Sequence, residues 1–350
     1  MRTLLITTDY LPNSGGVANY YSNLIKHWPT PEPIWLLYRH YRHRVGKYFS
    51  WLGLIIGNYF THRINYIIVG QLLPLGTIAW LVKKILPIKY AVFIHGMDIA
   101  YALRVPRKAV LTRKILLGAD KLIIGNDYTA GLVRDFLPAV TSKSVVINPG
   151  VSWPTGIDPK ATVDLRQAFG LGNKIILFGL GRLVKRKGFD KVIGALKLLS
   201  KEIAANLVYV LAGDGEELAN LQALACNNQN IIFLGRLTEA EKWAWLRASD
   251  IFIMTSRNLA GDFEGFGIVY LEANLCGRPV IAGRSGGVAE AVIDGLNGLL
   301  VDPEDEIDMA AKITALASDK VLREKLGEAG KRRAGEFSWE RQINKIYSSL

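Results

Sequence analysis

Two carboxylates eight residues apart, Glu264 and Glu272, bracket the stretch of this sequence best suited to chemistry, Glu264-Gly265-Phe266-Gly267-Ile268-Val269-Tyr270-Leu271-Glu272. At about 1.5 Å rise per residue a helix would set them roughly 12 Å apart. That separation is too large for the acid and base of a glycoside hydrolase, which flank a single bond. It suits a ligand gripped by hydroxyls at both ends around an anionic middle, with the amides of Gly265, Phe266 and Gly267 facing that middle at the helix start. A nucleotide diphosphate sugar has this layout: sugar, diphosphate, ribose. Alone, the pair fits a solvated helix face equally well. Glu272, following Val269-Tyr270-Leu271, also reads as a buried carboxylate in need of partners.

A second stretch, Gly179-Leu180-Gly181-Arg182-Leu183-Val184-Lys185-Arg186-Lys187-Gly188, follows an apolar run and opens a helix. Val184 occupies the last position of a dinucleotide fingerprint, and no Gly-Lys-Ser/Thr completes a P-loop. What remains is a flexible turn carrying Arg182 and Lys187 at a helix N-terminus, where cations oppose the helix dipole unless an anion compensates. A diphosphate would be such an anion; a solvated basic turn is the alternative.

These residues need a scaffold, and the sequence alternates short apolar runs with helical patterns. Leu4–Thr8, Ile34–Tyr38, Tyr66–Val69, Ala91–Ile94, Lys121–Ile124 and Ser144–Ile147 read as strands, with helices expected over Asn19–Trp28, Thr77–Leu86 and Arg107–Leu117. After Asn148-Pro149-Gly150 the alternation restarts. Strands are expected at Lys174–Gly179, Leu207–Leu211, Ile231–Leu234, Ile251–Met254, Pro279–Ala282 and Gly298–Val301, and helices at Asp190–Leu199, Glu216–Ala225, Glu239–Ala248 and Ile268–Cys276. Such repetition predicts two α/β halves, each a parallel sheet covered on both faces, with ligands beyond the carboxyl ends of the strands.

The chain's 350 residues favour two domains, and 50% apolar with 21% charged residues excludes disorder. Cys226 and Cys276 support neither a disulfide framework nor a four-ligand zinc site, which points to a reducing compartment. Residues 1–150 hold 18 Lys and Arg against 6 Asp and Glu, whereas residues 151–350 hold 25 of each, so the net charge of +12 resides in the first part. Nucleic acid, a membrane surface or an anionic substrate could each explain this asymmetry. The opening run Leu4-Leu5-Ile6 is too short for a secretory signal. Ile64–Val82 is uncharged for 19 residues, but Asn65, Gly70, Gln71, Pro74 and Gly76 break it into strand, loop and helix. From Arg39 to Phe60 a cationic run (Arg39, His40, Arg42, His43, Arg44, Lys47) feeds an aromatic and aliphatic one. This pattern fits either an interfacial membrane segment or a loop followed by a core element.

In order along the chain stand Gly15-Gly16-Val17, His95-Gly96, Asn148-Pro149-Gly150-Val151, Gly181-Arg182-Leu183 with Lys187-Gly188, Glu264 with Glu272, Ser285-Gly286-Gly287 and a final helix at Phe337-Ser338-Trp339. The ordered set resembles the retaining GT-B glycosyltransferases of family four. Asp9-Tyr10-Leu11-Pro12, the loop Ser256–Asp262 and Gly267–Glu272 are similar in detail to GDP-mannose-dependent α-mannosyltransferases that act on phosphatidylinositol mannosides. The resemblance implies two Rossmann-like domains facing a central cleft. Residues 1–150 with a C-terminal helix at about 337–350 would receive the acceptor, and residues 151–336 would bind the nucleotide-sugar donor. It implies that Arg182 and Lys187 neutralise the departing diphosphate, Glu272 holds the ribose, and Glu264 holds the sugar with Gly265, Phe266 and Gly267 alongside. Gly15 and Gly16 would admit the phosphates, the backbone near Arg236 and Leu237 would meet the base, and His95 would contact the sugar near the reacting carbon. The expected activity is retaining hexosyl transfer, mannosyl favoured, without metal, since no Asp-x-Asp motif occurs and the cations can take that role. Combined with the charge asymmetry, it suggests a cytoplasmic enzyme of polysaccharide or glycolipid synthesis. Such an enzyme would sit peripherally on the inner face of the plasma membrane and act on a glycan or lipid-linked acceptor.

Rival readings are a UDP-sugar-dependent glucosyl-, galactosyl- or N-acetylglucosaminyltransferase, and a nucleotide-sugar epimerase or hydrolase on the same fold. A nucleic-acid-binding protein is disfavoured because no recognition helix, aromatic platform or zinc pattern is visible. An NAD-dependent oxidoreductase is disfavoured because the glycine fingerprint is missing from both halves.

Overall fold

The computed structural model describes residues 1–11, 15–29, 31–39, 49–154, 156, 165–226 and 228–350. They form two compact units, Met1–Gly150 with Phe337–Leu350, and Val151–Glu336. Residues 40–48, the centre of the cationic run noted above, and Pro12 lie outside the described residues.

The first unit is built on six parallel strands: β1 (Thr3–Thr7), β2 (Ile34–Tyr38), β3 (Tyr66–Val69), β4 (Lys89–Ile94), β5 (Lys121–Ile124) and β6 (Ser144–Val146), in the order β2-β1-β3-β4-β5-β6. Alternate residues serve opposite layers. Leu4 and Ile6 enter one apolar core with the helix Leu75–Ile85 and Ile115, while Leu5 enters the other with Tyr20, Tyr21 and Leu24. Burial on both faces is why these strands read as continuous apolar runs rather than alternating ones. The final helix, Trp339–Ser349, joins the second layer through Trp339, Ile343 and Ile346. It crosses the chain where a Cβ on Gly150 would stand 2.6 Å from the Trp339 Cα, so the glycine permits the crossing.

The second unit repeats the plan with β7 (Ile175–Leu180), β8 (Leu207–Ala212), β9 (Ile231–Gly235), β10 (Ile251–Met254), β11 (Val280–Gly283) and β12 (Gly298–Val301), parallel in the order β12-β11-β10-β7-β8-β9. The connections reverse direction between β7 and β10, and in the first unit between β1 and β3. Crevices at such switch points take ligands in open α/β sheets.

The strands fall within two residues of their expected bounds. The apolar end of Arg39–Phe60 forms the helix Phe49–His62, with Trp51 and Ile55 fully buried and Phe60 exposed. Ile64–Val82 divides into β3, a loop and the helix Leu75–Ile85, which starts two residues earlier than expected. No helix among the described residues is long and apolar enough to cross a membrane. The helix Lys320–Gly335 had not been expected. Its buried face is Leu326, Gly327, Ala329, Gly330 and Ala334, mostly small residues that give little apolar periodicity. A Cβ on Gly327 would come 2.1 Å from the Gly277 carbonyl oxygen, so these small residues let the backbones approach.

Candidate functional site

In the second unit two loops leave the sheet on either side of the switch, residues 181–188 after β7 and residues 255–267 after β10. They are joined by a backbone bond and a side-chain bond. The Arg257 N–H donates to the Arg186 carbonyl at 2.9 Å, and the Thr255 hydroxyl donates to the Gly188 carbonyl at 3.0 Å. Gly188 has φ 72°, and a Cβ there would stand 2.1 Å from the Thr255 carbonyl oxygen, so only glycine fits.

Where the loops meet, Glu264 is buried, and all its side-chain bonds converge on Oε2: Lys187 Nζ at 2.6 Å, Arg186 Nη1 at 2.8 Å and the Ser256 hydroxyl at 3.0 Å. Burial would raise the Glu264 pKa, but Lys187 and Arg186 outweigh it and hold the carboxyl at about 2. Burial lowers the Lys187 pKa, and Glu264 opposes that shift. Arg186 also meets Asp262, 2.9 Å from its Nε. The Glu264 backbone is gripped by Ser285-Gly286-Gly287. The Gly287 N–H donates to its carbonyl at 3.0 Å, and Gly286, at φ 51°, leaves no room for a Cβ beside that oxygen. Oε1 of Glu264 takes no partner among the described residues.

Gly267, left-handed at φ 80°, caps the helix Ile268–Leu275, and Phe266 is buried beside it. On that helix Glu272 is buried and is held through Oε1 by Lys242 at 2.8 Å, its Oε2 having no partner among the described residues. Lys242 is itself fixed by Glu239 at 2.7 Å and by the Trp243 ring, 5.2 Å away. Burial alone would discharge it, yet the two glutamates raise its pKa. Lys242 belongs to the helix Glu239–Ala248, which opens with a Thr238–Glu241 capping box directly after Arg236 and Leu237. Arg236 is exposed and Leu237 half-buried at the end of the edge strand β9.

Of the expected donor residues, the structure therefore joins Lys187 to Glu264. Arg182 is exposed, its side chain without a hydrogen bond or ion pair among the described residues. Glu272 belongs to a separate ion pair. The sequence reading missed Arg186 and Lys242. Arg186 looked like one more cation in Lys185-Arg186-Lys187, and only the fold shows that it is buried on two carboxylates. It also passed over Gly213 and Gly215, whose Cβ atoms would stand 1.8 Å from the Gly181 carbonyl oxygen and 2.3 Å from that of Leu183. The signal was available in Gly213-Asp214-Gly215, a glycine-bounded turn directly after β8.

In the first unit, Gly15 caps the helix Gly16–Lys26 at φ 135°, a conformation that favours glycine, and no atom of the described residues lies within 4 Å of the Cβ positions of Gly15 and Gly16. His95 stands just beyond β4. Its Nε2 lies 2.6 Å from the Tyr21 hydroxyl, and its ring is parallel to Phe93 and edge-on to Tyr20. Burial lowers the His95 pKa to about 4, leaving the imidazole neutral near pH 7. Nearby Asp98 accepts the N–H groups of Gly96 and Ile99 on Oδ1, and burial raises its pKa to about 6.

Residues 163–333 match the family described as glycosyl transferases group 1. The chain is 28% identical to the GDP-mannose-dependent alpha-(1-6)-phosphatidylinositol monomannoside mannosyltransferase of Mycolicibacterium smegmatis, over 94% of this chain and 92% of that protein. It is 33% identical to the GDP-mannose-dependent monoacylated alpha-(1-6)-phosphatidylinositol monomannoside mannosyltransferase of Corynebacterium glutamicum, over 79% and 74%. Among solved structures, Anabaena Alr3699/HepE in complex with UDP superposes with a TM-score of 0.82 at 19% identity across 100% of both chains, a likeness of fold.

Proposed function

The chain belongs to the glycosyl transferases group 1 family and is a glycosyltransferase of the GT-B fold, and from that premise we propose that it moves mannose from GDP-mannose to a lipid-linked or glycan hydroxyl with retention of configuration. The observation that carries the reading is the matched treatment of two buried glutamates. Glu264 and Glu272 each have one oxygen held by cations and the other without a protein partner among the described residues. A carboxylate so fixed is a preorganised acceptor for hydroxyls. Glu264 takes those of the sugar and Glu272 those of the ribose, with the amides of Gly265–Gly267 between them. Lys187 and the unpaired Arg182 meet the diphosphate and stabilise its departure, which is the main electrostatic demand of the reaction. The unpaired positive charge of the Arg182 side chain, on the same loop as Lys187, supports transfer without a metal ion. The acceptor attacks the face that the nucleotide leaves.

The acceptor reading draws on the basic first unit. The helix Pro106–Gly118 exposes Arg107, Arg113, Lys114, Val110 and Leu117 and carries no carboxylate. Lys114 and, from the neighbouring helix Leu75–Ile85, Lys84 both lie 5.9 Å from the Trp80 ring, which joins the two surfaces. Cations beside exposed aliphatic side chains favour an anionic lipid surface and a peripheral enzyme. The test is transfer of label from GDP-mannose and, separately, UDP-glucose into glycan or lipid-extractable product with excess EDTA present. Transfer from GDP-mannose alone supports the proposal, transfer from UDP-glucose alone overturns the donor, and transfer only after metal addition overturns the metal-free mechanism.

A further inference from the structure

Lys242, the cation that holds Glu272, belongs to a cluster that reaches back to the start of the second unit. Glu239, Lys242 and Trp243 stand at i, i+3 and i+4 of one helix, so they share a face. Glu239 Oε1 accepts from the other two, from the Trp243 indole N–H at 2.9 Å and from Lys242 Nζ at 2.7 Å. Lys242 Nζ also lies 5.2 Å from the centre of the Trp243 ring. The indole therefore fixes the ammonium twice, directly through its π system and indirectly through the carboxylate they share. A lysine stem is flexible, and such contacts decide where its charge sits. The ring packed on this indole comes from outside the helix. Trp243 is fully buried, and Trp153 lies against it with 4.6 Å between ring centroids and a tilt of 38°. Trp153 is a half-buried residue of the second unit, three places after Gly150, and lies in neither strand nor helix. The stack ties that segment to the helix Glu239–Ala248.

We propose that Trp153 is a positioning residue for the ribose contact: its stack on Trp243 holds the indole that fixes Lys242, and Lys242 holds Glu272. This rests on the reading of Glu272 as the group that takes the ribose hydroxyls. Trp153 acts without touching the nucleotide. Loss of its ring frees Trp243 to reorient and lets Lys242 and Glu272 move together. The coupling is reciprocal, so a nucleotide whose ribose engages Glu272 steadies Trp153 in return.

The experiment is calorimetric titration of GDP and 2′,3′-dideoxy-GDP into the wild type, Trp153→Ala, Trp153→Phe, Lys242→Met and the double variant Trp153→Ala with Lys242→Met. Trp153→Ala should weaken GDP by about fivefold, the scale of one cation–π contact, and leave the dideoxynucleotide unchanged. Trp153→Phe, which keeps a ring, should recover most of that loss. On the Lys242→Met background Trp153→Ala should cost nothing further, because the cation through which it acts is gone. A second measurement decides even if a variant fails to fold. In the wild type GDP should slow hydrogen exchange of the Ser152 and Trp153 amides, and the dideoxynucleotide should not. Wild-type GDP affinity in Trp153→Ala, an equal loss of both nucleotides, full additivity with Lys242→Met, or exchange at Trp153 that ignores GDP would each overturn the proposal. If Lys242→Met keeps the wild-type preference for GDP over the dideoxynucleotide, the ribose reading of Glu272 falls and takes the proposal with it. If Lys242→Met abolishes that preference and Trp153→Ala does not, only the role of Trp153 is overturned.

Discussion

Lys187 Nζ lies 2.6 Å from Glu264 Oε2, the same oxygen that Arg186 reaches at 2.8 Å, so two buried cations from the loop after β7 neutralise one carboxylate from the loop after β10. The ion pairs therefore fix the loops to one another across the switch point and aim Glu264 at the same time. Removing the carboxylate leaves two buried cations with too little compensation, a change worth about 3–5 kcal/mol. Glu264→Ala is expected to lower the melting temperature by roughly 10 °C, measured calorimetrically. Glu264→Gln, which keeps the hydrogen-bonding oxygen, should lose less. Equal melting temperatures for wild type and Glu264→Ala would show the cluster to be structurally idle.

The same cluster sets an acid dependence. The Glu264 carboxyl is held at about 2, below its unfolded value, because the cations outweigh burial. Its contribution is complete above the usual carboxylate range and drains away as pH falls toward 2, since the unfolded chain takes up the proton first. Between pH 5 and pH 3 the wild type should lose stability more steeply than Glu264→Gln, by denaturant midpoint at each pH. Parallel slopes would contradict the shift.

Lys242 holds Glu272 through Oε1, and the proposed ribose contact falls to Oε2, which has no partner among the described residues. Lys242→Met frees the carboxylate to rotate and should weaken GDP binding by about tenfold, the scale of one charge-assisted hydrogen bond. The 2′,3′-dideoxynucleotide, which has no hydroxyls to offer, should bind both proteins alike. An equal loss for both nucleotides would place the effect elsewhere.

Gly286 is the backbone counterpart of these side-chain contacts. At φ 51°, with the Glu264 carbonyl oxygen 2.2 Å from its Cβ position, Gly286→Ala must push Glu264 out of place. Transfer activity should fall by at least tenfold, whereas Gly335→Ala, with nothing within 4 Å of its Cβ position, should be neutral.

For the membrane reading, vesicles containing anionic lipid should sediment the protein at low salt, and purely zwitterionic vesicles should not. The triple variant Lys84→Gln, Arg113→Gln, Lys114→Gln should pellet several-fold less. Binding that ignores lipid charge would contradict the role given to this face.

Periodicity was enough to locate every strand of both sheets, because a parallel strand buried on two faces is an uninterrupted apolar run. It failed for Lys320–Gly335, where Gly327 and Gly330 do the packing that a larger apolar side chain would have announced. Among the candidate residues, the need for partners was legible for Lys187, a cation at a helix start that Glu264 answers, and for Glu272, a carboxylate among apolar neighbours that Lys242 answers. For Arg186 and Lys242 it was not. Each looks like an ordinary surface cation until a carboxylate distant in sequence, 78 residues away for Arg186 and 30 for Lys242, is folded against it.

The central claim is that Arg182, Lys187, Glu264 and Glu272 form a metal-free nucleotide-sugar site. The most direct test is calorimetric titration of GDP, UDP and ADP in excess EDTA into the wild type, Arg182→Ala and Glu272→Ala. The account predicts micromolar binding of GDP to the wild type, lost or weakened more than tenfold in both variants. Absence of binding until a metal ion is restored, or binding that both variants retain in full, would contradict it.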